Sequence, residues 1–90
     1  MDKLKVFISD DSATVRERLV TMALDLPEVD VVGQAEDAPG SLDAIRQTRP
    51  DVVILDIRMP GGSGIEVLRQ LRRMTLAPKV IMLTNFAYEQ

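Results

Sequence analysis

Asp10, Asp11, Asp56 and Thr84 each stand at the end of a short apolar run, in "VFISDD", "VVILD" and "VIMLT". A carboxylate that directly follows four apolar residues is costly unless something partners it. Three carboxylates brought together also repel. At ~4 Å and an effective dielectric of ~20, a like-charged pair costs about 4 kcal/mol. Either some of them keep a proton, with raised pKa values, or a cation neutralises the group. The chain has no His and no Cys, so a metal must sit on oxygen. Mg²⁺ accepts carboxylates, carbonyls and water, whereas a softer ion has little here to hold it. Any histidine chemistry must come from a partner.

The segment after Asp56 is "IRMPGGSG". Its glycines can adopt positive φ, which leaves room for a small anion beside Asp56 and lets backbone carbonyls face a metal. It lacks the lysine and spacing of a P-loop, and no Gly-x-Gly-x-x-Gly signature is present. These residues also have ordinary uses: an aspartate at a strand end caps helices and forms turns, and a glycine-rich stretch can be a plain connection. The chemical reading is favoured because all four polar residues fall at the ends of apolar runs.

The elements that must hold these residues follow from the apolar pattern. "KLKVFIS" (3–9) reads as a strand, and Ser12 can cap the helix that follows. In that helix Val15, Leu19, Met22, Ala23 and Leu26 form one apolar stripe, and Pro27 ends it. "VDVVGQAE" (29–36) reads as a second strand, at an edge. Pro39 and Gly40 open a second helix with Ser41 as its cap; Leu42, Ala44 and Ile45 give it a narrow apolar face, and Pro50 closes it. "DVVILD" (51–56) is a continuous apolar run, as in a strand covered on both faces. Ile65, Leu68 and Leu71 mark a third helix, "PKVIMLT" (78–84) a fourth strand, and "NFAYEQ" the start of a fourth helix. This alternation predicts an α/β domain with a parallel sheet, right-handed crossovers and helices on both faces. Asp10, Asp11, Asp56 and Thr84 then stand at carboxyl ends of strands, where open α/β sheets bind ligands, and they converge if the first, third and fourth strands are neighbours.

Composition narrows the class. Ninety residues with 46% hydrophobic content suit one small domain, and two Phe with one Tyr make its core aliphatic. A net charge of −3 argues against nucleic-acid binding by this domain itself. No apolar run approaches the ~20 residues of a membrane helix, and no signal-peptide pattern opens the chain, so a cytoplasmic domain is expected.

The stretches "VFISDDS", "DVVILDIRMPGGSGIEVLRQLR" and "KVIMLT" resemble the receiver domain of bacterial two-component response regulators, in order along essentially the entire chain. The middle one fits that family's D-x-x-M-P-x-x-x-G-x-x-x-L pattern through Asp56, Met59, Pro60, Gly64 and Leu68. The resemblance implies a flavodoxin-like doubly wound sheet of order 2-1-3-4. It also implies a phosphorylation-dependent switch. Asp56 would accept a phosphoryl group from a sensor histidine kinase. Asp10, Asp11, Asp56 and the Arg58 backbone carbonyl would hold Mg²⁺, and Thr84 would hydrogen-bond the phosphoryl oxygen. The output implied is control of transcription in the full-length protein, since the likeness is greatest to receivers that precede a DNA-binding helix-turn-helix domain.

Complete members of that family continue through a fifth strand ending in lysine and a fifth helix. Residues 1–90 are thus expected to form a single receiver domain lacking its final strand and helix. The fourth strand then becomes an apolar edge, which invites pairing with another copy. A self-associating, phosphorylation-defective module is the alternative reading. A Mg²⁺-dependent phosphohydrolase is disfavoured, because its second carboxylate is wanted two residues after Asp56, where Arg58 stands.

Overall fold

Ser12, Asp37 and Ser63 each end an extended segment and start a helix, and their side chains accept the amides of Val15, Gly40 and Glu66. These caps divide the chain into its elements. The computed structural model describes residues 2–83; Thr84 and the expected fourth helix lie outside the described residues. The elements are β1 (Leu4–Ser9), α1 (Ala13–Leu24), β2 (Val29–Ala35), α2 (Ala38–Thr48), β3 (Val52–Asp56), β4 (Arg58–Met59), β5 (Gly62–Ser63), α3 (Gly64–Arg72) and β6 (Lys79–Leu83).

β2, β1, β3 and β6 form a parallel sheet in that order. This is the expected 2-1-3-4 arrangement, β6 being its fourth strand, and β2 is indeed an edge. The chain steps one way across the sheet from β1 to β2 and the other way from β2 to β3 and from β3 to β6. With right-handed crossovers, α1 must cover one face and α2 and α3 the other.

The two faces are covered unequally. On the α2/α3 side, Phe7, Val53 and Leu55 are buried with Ile45, Val67 and Leu71, and Val80 and Met82 pack against them. No residue of α1 is fully buried. Of its expected apolar stripe, Val15, Leu19 and Ala23 are partly buried and Met22 is 62% exposed, while Leu26, 49% exposed, lies past the helix, which ends at Leu24 rather than at Pro27. The row Ile8–Ile54–Ile81 crosses the α1 face, and burial fades along it from fully buried Ile8 to Ile81, 53% exposed. The run 51–56 is therefore sealed on one face and half-sealed on the other, because α1 alone spans that face among the described residues.

One local expectation needs correction. Ser41 does not cap α2. Asp37 does, through a 2.7 Å bond from the Gly40 amide, while the Ser41 hydroxyl lies inside the first turn and donates to the Asp37 carbonyl at 2.6 Å. An aspartate two residues before the proline reaches the free amides better than a serine beyond it. The glycine-rich segment is also more ordered than a plain connection: β4 and β5 pair antiparallel within it.

Core substitutions should separate the two faces. Leu71→Ala should cost about 2–5 kcal/mol in urea unfolding. Leu24→Ala, at a side chain 78% exposed, should change stability by less than about 0.5 kcal/mol. Equal effects would mean that α1 packs as tightly as α3.

Candidate functional site

The carboxyl ends of β1 and β3 lie side by side, since Ser9 pairs with Leu55. The residues that follow, Asp10, Asp11 and Asp56, therefore share one corner. Each offers a carboxylate oxygen, and these oxygens lie within 4.8 Å of one another. Asp10 and Asp56 are buried, at 5% and 3% exposure, while Asp11 faces solvent.

The two buried carboxylates are each held by local backbone. The Ser12 amide donates to Asp10 Oδ1 at 2.8 Å, so Ser12 serves both Asp10 and helix α1. Arg16 Nη1 donates to the Asp10 carbonyl at 2.7 Å, and the Asp10 amide donates to Ala35 on β2 at 3.0 Å. At Asp56, the Arg58 amide donates to Oδ1 at 3.2 Å. The Arg58 side chain is exposed; its expected contribution is a backbone one.

The route away from Asp56 is tightly fixed. The Ile57 amide donates to Leu83 at 3.3 Å, and the Gly64 amide to the Ile57 carbonyl at 2.6 Å. Gly64 opens α3 directly on the backbone of Asp56, so a Cβ there would collide with the Asp56 carbonyl oxygen. Between them, Met59 is buried in the core. Gly61, at φ +79°, turns the chain with its Cα against Pro39, where a Cβ would come within 2.9 Å of Pro39 Cδ.

Of the expected residues, the structure brings Asp10, Asp11, Asp56 and Arg58 together, and Thr84 lies outside the described residues. Two further residues at this corner are Ser9 and Ser41, both fully buried, their hydroxyls 2.8 Å apart. A signal for them existed. Ser9 stands two residues after Phe7 and Ser41 four before Ile45, so both occupy core-facing positions.

The residues fit a hard cation. The donors are all oxygen, and two of the three carboxylates are buried beside one another. Burial is the main cause that raises the pKa of Asp56 above its ordinary 3.8; the Arg58 amide opposes it, and the charges of Asp10 and Asp11 add to it.

The family model of the response regulator receiver domain matches residues 6–90. The chain belongs to this family. Among curated relatives, the receiver is 42% identical over 84 residues to the protein-glutamate methylesterase/protein-glutamine glutaminase of Hydrogenovibrio crunogenus, covering 93% of the chain and 22% of that protein. It is 37% identical over 87 residues to the DNA-binding transcriptional activator DevR/DosR of Mycobacterium tuberculosis, covering 97% of the chain and 40% of that protein. The chain thus spans well under half the length of these relatives. The isolated receiver of RcsB from Salmonella enterica, solved in the presence of the phosphomimetic BeF₃⁻, superposes with a TM-score of 0.87 at 27% identity, over 96% of this chain and 64% of that one. The receiver fold confirms the flavodoxin-like arrangement. The two relatives differ in the activity that their names carry, so what this chain shares with both is the receiver. No helix among the described residues is long and apolar enough to cross a membrane.

The raised pKa of Asp56 has a stability consequence. The folded chain holds a proton on Asp56 more tightly than the unfolded chain does. Its contribution to stability is therefore fullest below 3.8 and is lost as pH rises through the folded-state pKa. Asp56→Asn keeps an oxygen acceptor for the Arg58 amide and removes the charge. In chelator-treated protein at pH 7 it should raise the thermal midpoint, by roughly 4–8 °C for each 1 kcal/mol gained. The gap should close as pH falls toward 3.8. A lower midpoint for Asn at pH 7 would mark Asp56 as a structural carboxylate.

Proposed function

We propose that this receiver is a phosphoacceptor switch of a two-component system, with Asp56 as the nucleophile. The observation that carries the reading is the clustering of a buried carboxylate at the end of β3 with two others at the end of β1, on a receiver fold. An oxygen of Asp56 attacks the phosphorus of a phosphohistidine on a sensor histidine kinase. The P–N bond breaks, its electrons return to the imidazole, and Asp56 becomes an acyl phosphate. Asp10, Asp11, Asp56 and the Arg58 carbonyl would hold Mg²⁺. When bound, Mg²⁺ supplies positive charge against the transferring oxygens, which suits a reaction governed by positioning and electrostatics. The Arg58 amide orients the Asp56 carboxylate, and Gly64 fixes its backbone from behind. Thr84, next in sequence after β6, is the hydroxyl that senses the phosphoryl group. Acceptance without turnover is favoured over phosphohydrolysis, because the residue two beyond Asp56 is arginine and its side chain is exposed. In the full-length protein the receiver acts in the cytoplasm and controls transcription, as the name of the mycobacterial relative describes for that protein.

Incubation with Mg²⁺ and acetyl phosphate should add one phosphoryl group per chain, located at Asp56, and BeF₃⁻ should occupy the same site. EDTA or Asp56→Asn should abolish both. Modification that persists in Asp56→Asn, or steady release of phosphate from esters, would overturn the reading.

A second reading, self-association, is favoured by β6. Among the described residues this strand pairs only with β3, and its Ile81, on the α1 face, stands half in solvent. Sedimentation equilibrium should show a dimer that dissociates when Ile81 is replaced by Lys. A wild-type monomer at millimolar concentration would remove this reading.

A further inference from the structure

We infer that Ser9 and Ser41 are positioning residues for the acidic corner, acting through the first turn of α2. This rests on the reading of that corner as a cation and phosphoryl site.

Ser9 and Ser41 are completely buried, in a core otherwise built of aliphatic side chains and Phe7. Ser9 Oγ donates to Ser41 Oγ at 2.8 Å, and Ser41 Oγ donates to the Asp37 carbonyl at 2.6 Å. Both hydroxyl protons are satisfied, and the relay runs from the last residue of β1 to the residue that caps α2. Ser9 is bonded in sequence to Asp10. At the other end, the first turn of α2 grips the segment that leaves Asp56. The Ala38 amide donates to the Pro60 carbonyl at 3.2 Å, Pro39 packs under Gly61, and Ala38 Cβ lies beneath Gly62.

The two halves of the corner are thereby tied twice. The first tie is the sheet pairing of Ser9 with Leu55. The second runs through α2: from Asp10 through Ser9 and Ser41 to the capped turn, and from Ala38 and Pro39 to the β4–β5 hairpin that carries Arg58. A strand ladder fixes the spacing of Asp10 and Asp56, and Met59 and Gly64 anchor the hairpin from the core and from behind, but neither contact ties the hairpin to β1. The hydroxyl relay supplies that tie by way of the first turn of α2, and it is hard to break because a buried donor without its acceptor is expensive. Carboxylates from one strand and a carbonyl from a separate hairpin can share an ion only if their separation is held, and supports behind the ligands commonly set metal affinity.

The test uses Ser9→Ala and Ser41→Ala in the 90-residue protein. Ser9→Ala removes the link yet leaves Ser41 bonded to Asp37, so no buried donor is orphaned. Amide hydrogen exchange should show the Ala38 amide exchanging about tenfold faster in both variants, with Val53 in the central strand unchanged. Mg²⁺ affinity, measured by titration well below the thermal midpoint, should fall by about tenfold. Unchanged Ala38 exchange and unchanged Mg²⁺ affinity in both variants would overturn the inference. Faster exchange at Val53 as well as Ala38 would do the same, since it would show only general loosening. If wild type binds no Mg²⁺ while Ala38 still loses protection, the tie stands and the cation-site reading falls.

Discussion

Like charge in a small volume is the constraint from which the rest of this domain can be derived. Asp10, Asp11 and Asp56 set three carboxylate oxygens within 4.8 Å of one another, and two of these residues are nearly sealed from water. Left to themselves they would spread apart or take up protons. The surrounding structure prevents the first. β1 and β3 are adjacent in a parallel sheet, which brings the carboxyl ends of both strands to the same corner. Backbone amides from Ser12 and Arg58 then aim the side chains. Oxygen donors held together in this way fit a hard, multivalent cation.

The large apolar core on the α2/α3 face has a mechanical task besides stability. It anchors Met59 and the first turn of α3, so the residues before and after the turn at Gly61 are held from below. Gly64 is pressed on the Asp56 backbone. The backbone of Asp56 is thus held on a rigid base, while the α1 face, with its row of isoleucines less and less covered toward Ile81, contributes less to holding the corner.

Much of this was legible from the residues. Apolar runs that stop on aspartate marked the strands and their acidic ends together, right-handed connection of alternating elements implied a parallel sheet covered on both faces, and the resemblance to receivers supplied the strand order. What escaped depended on information a linear pattern does not hold. The stripe of α1 was sound as periodicity, but burial depends on what lies opposite, and α1 spans its face alone among the described residues. The cap of α2 went to Asp37 because Pro39 shifts the free amides toward it. Ser9 and Ser41 lie 32 residues apart, and their meeting depends on where a strand and a helix are brought side by side. The β4–β5 pairing was hidden because its strands are only two residues each.

The clamped hairpin also bears on how this sequence can change over evolutionary time. Asp56 and Gly64 are in direct backbone contact, Met59 is anchored in the core between them, and Gly61 rests on Pro39. Most loops absorb an added or lost residue by bulging into solvent. This one is secured at both ends and in the middle, so one extra residue would shift Met59 out of its pocket or lift Gly64 off Asp56. Substitutions at exposed Arg58 or Pro60 leave those anchors in place. Variation in this segment should therefore proceed by exchange of side chains at constant length, and insertions or deletions should collect instead in connections such as 73–78, which the acidic corner does not use.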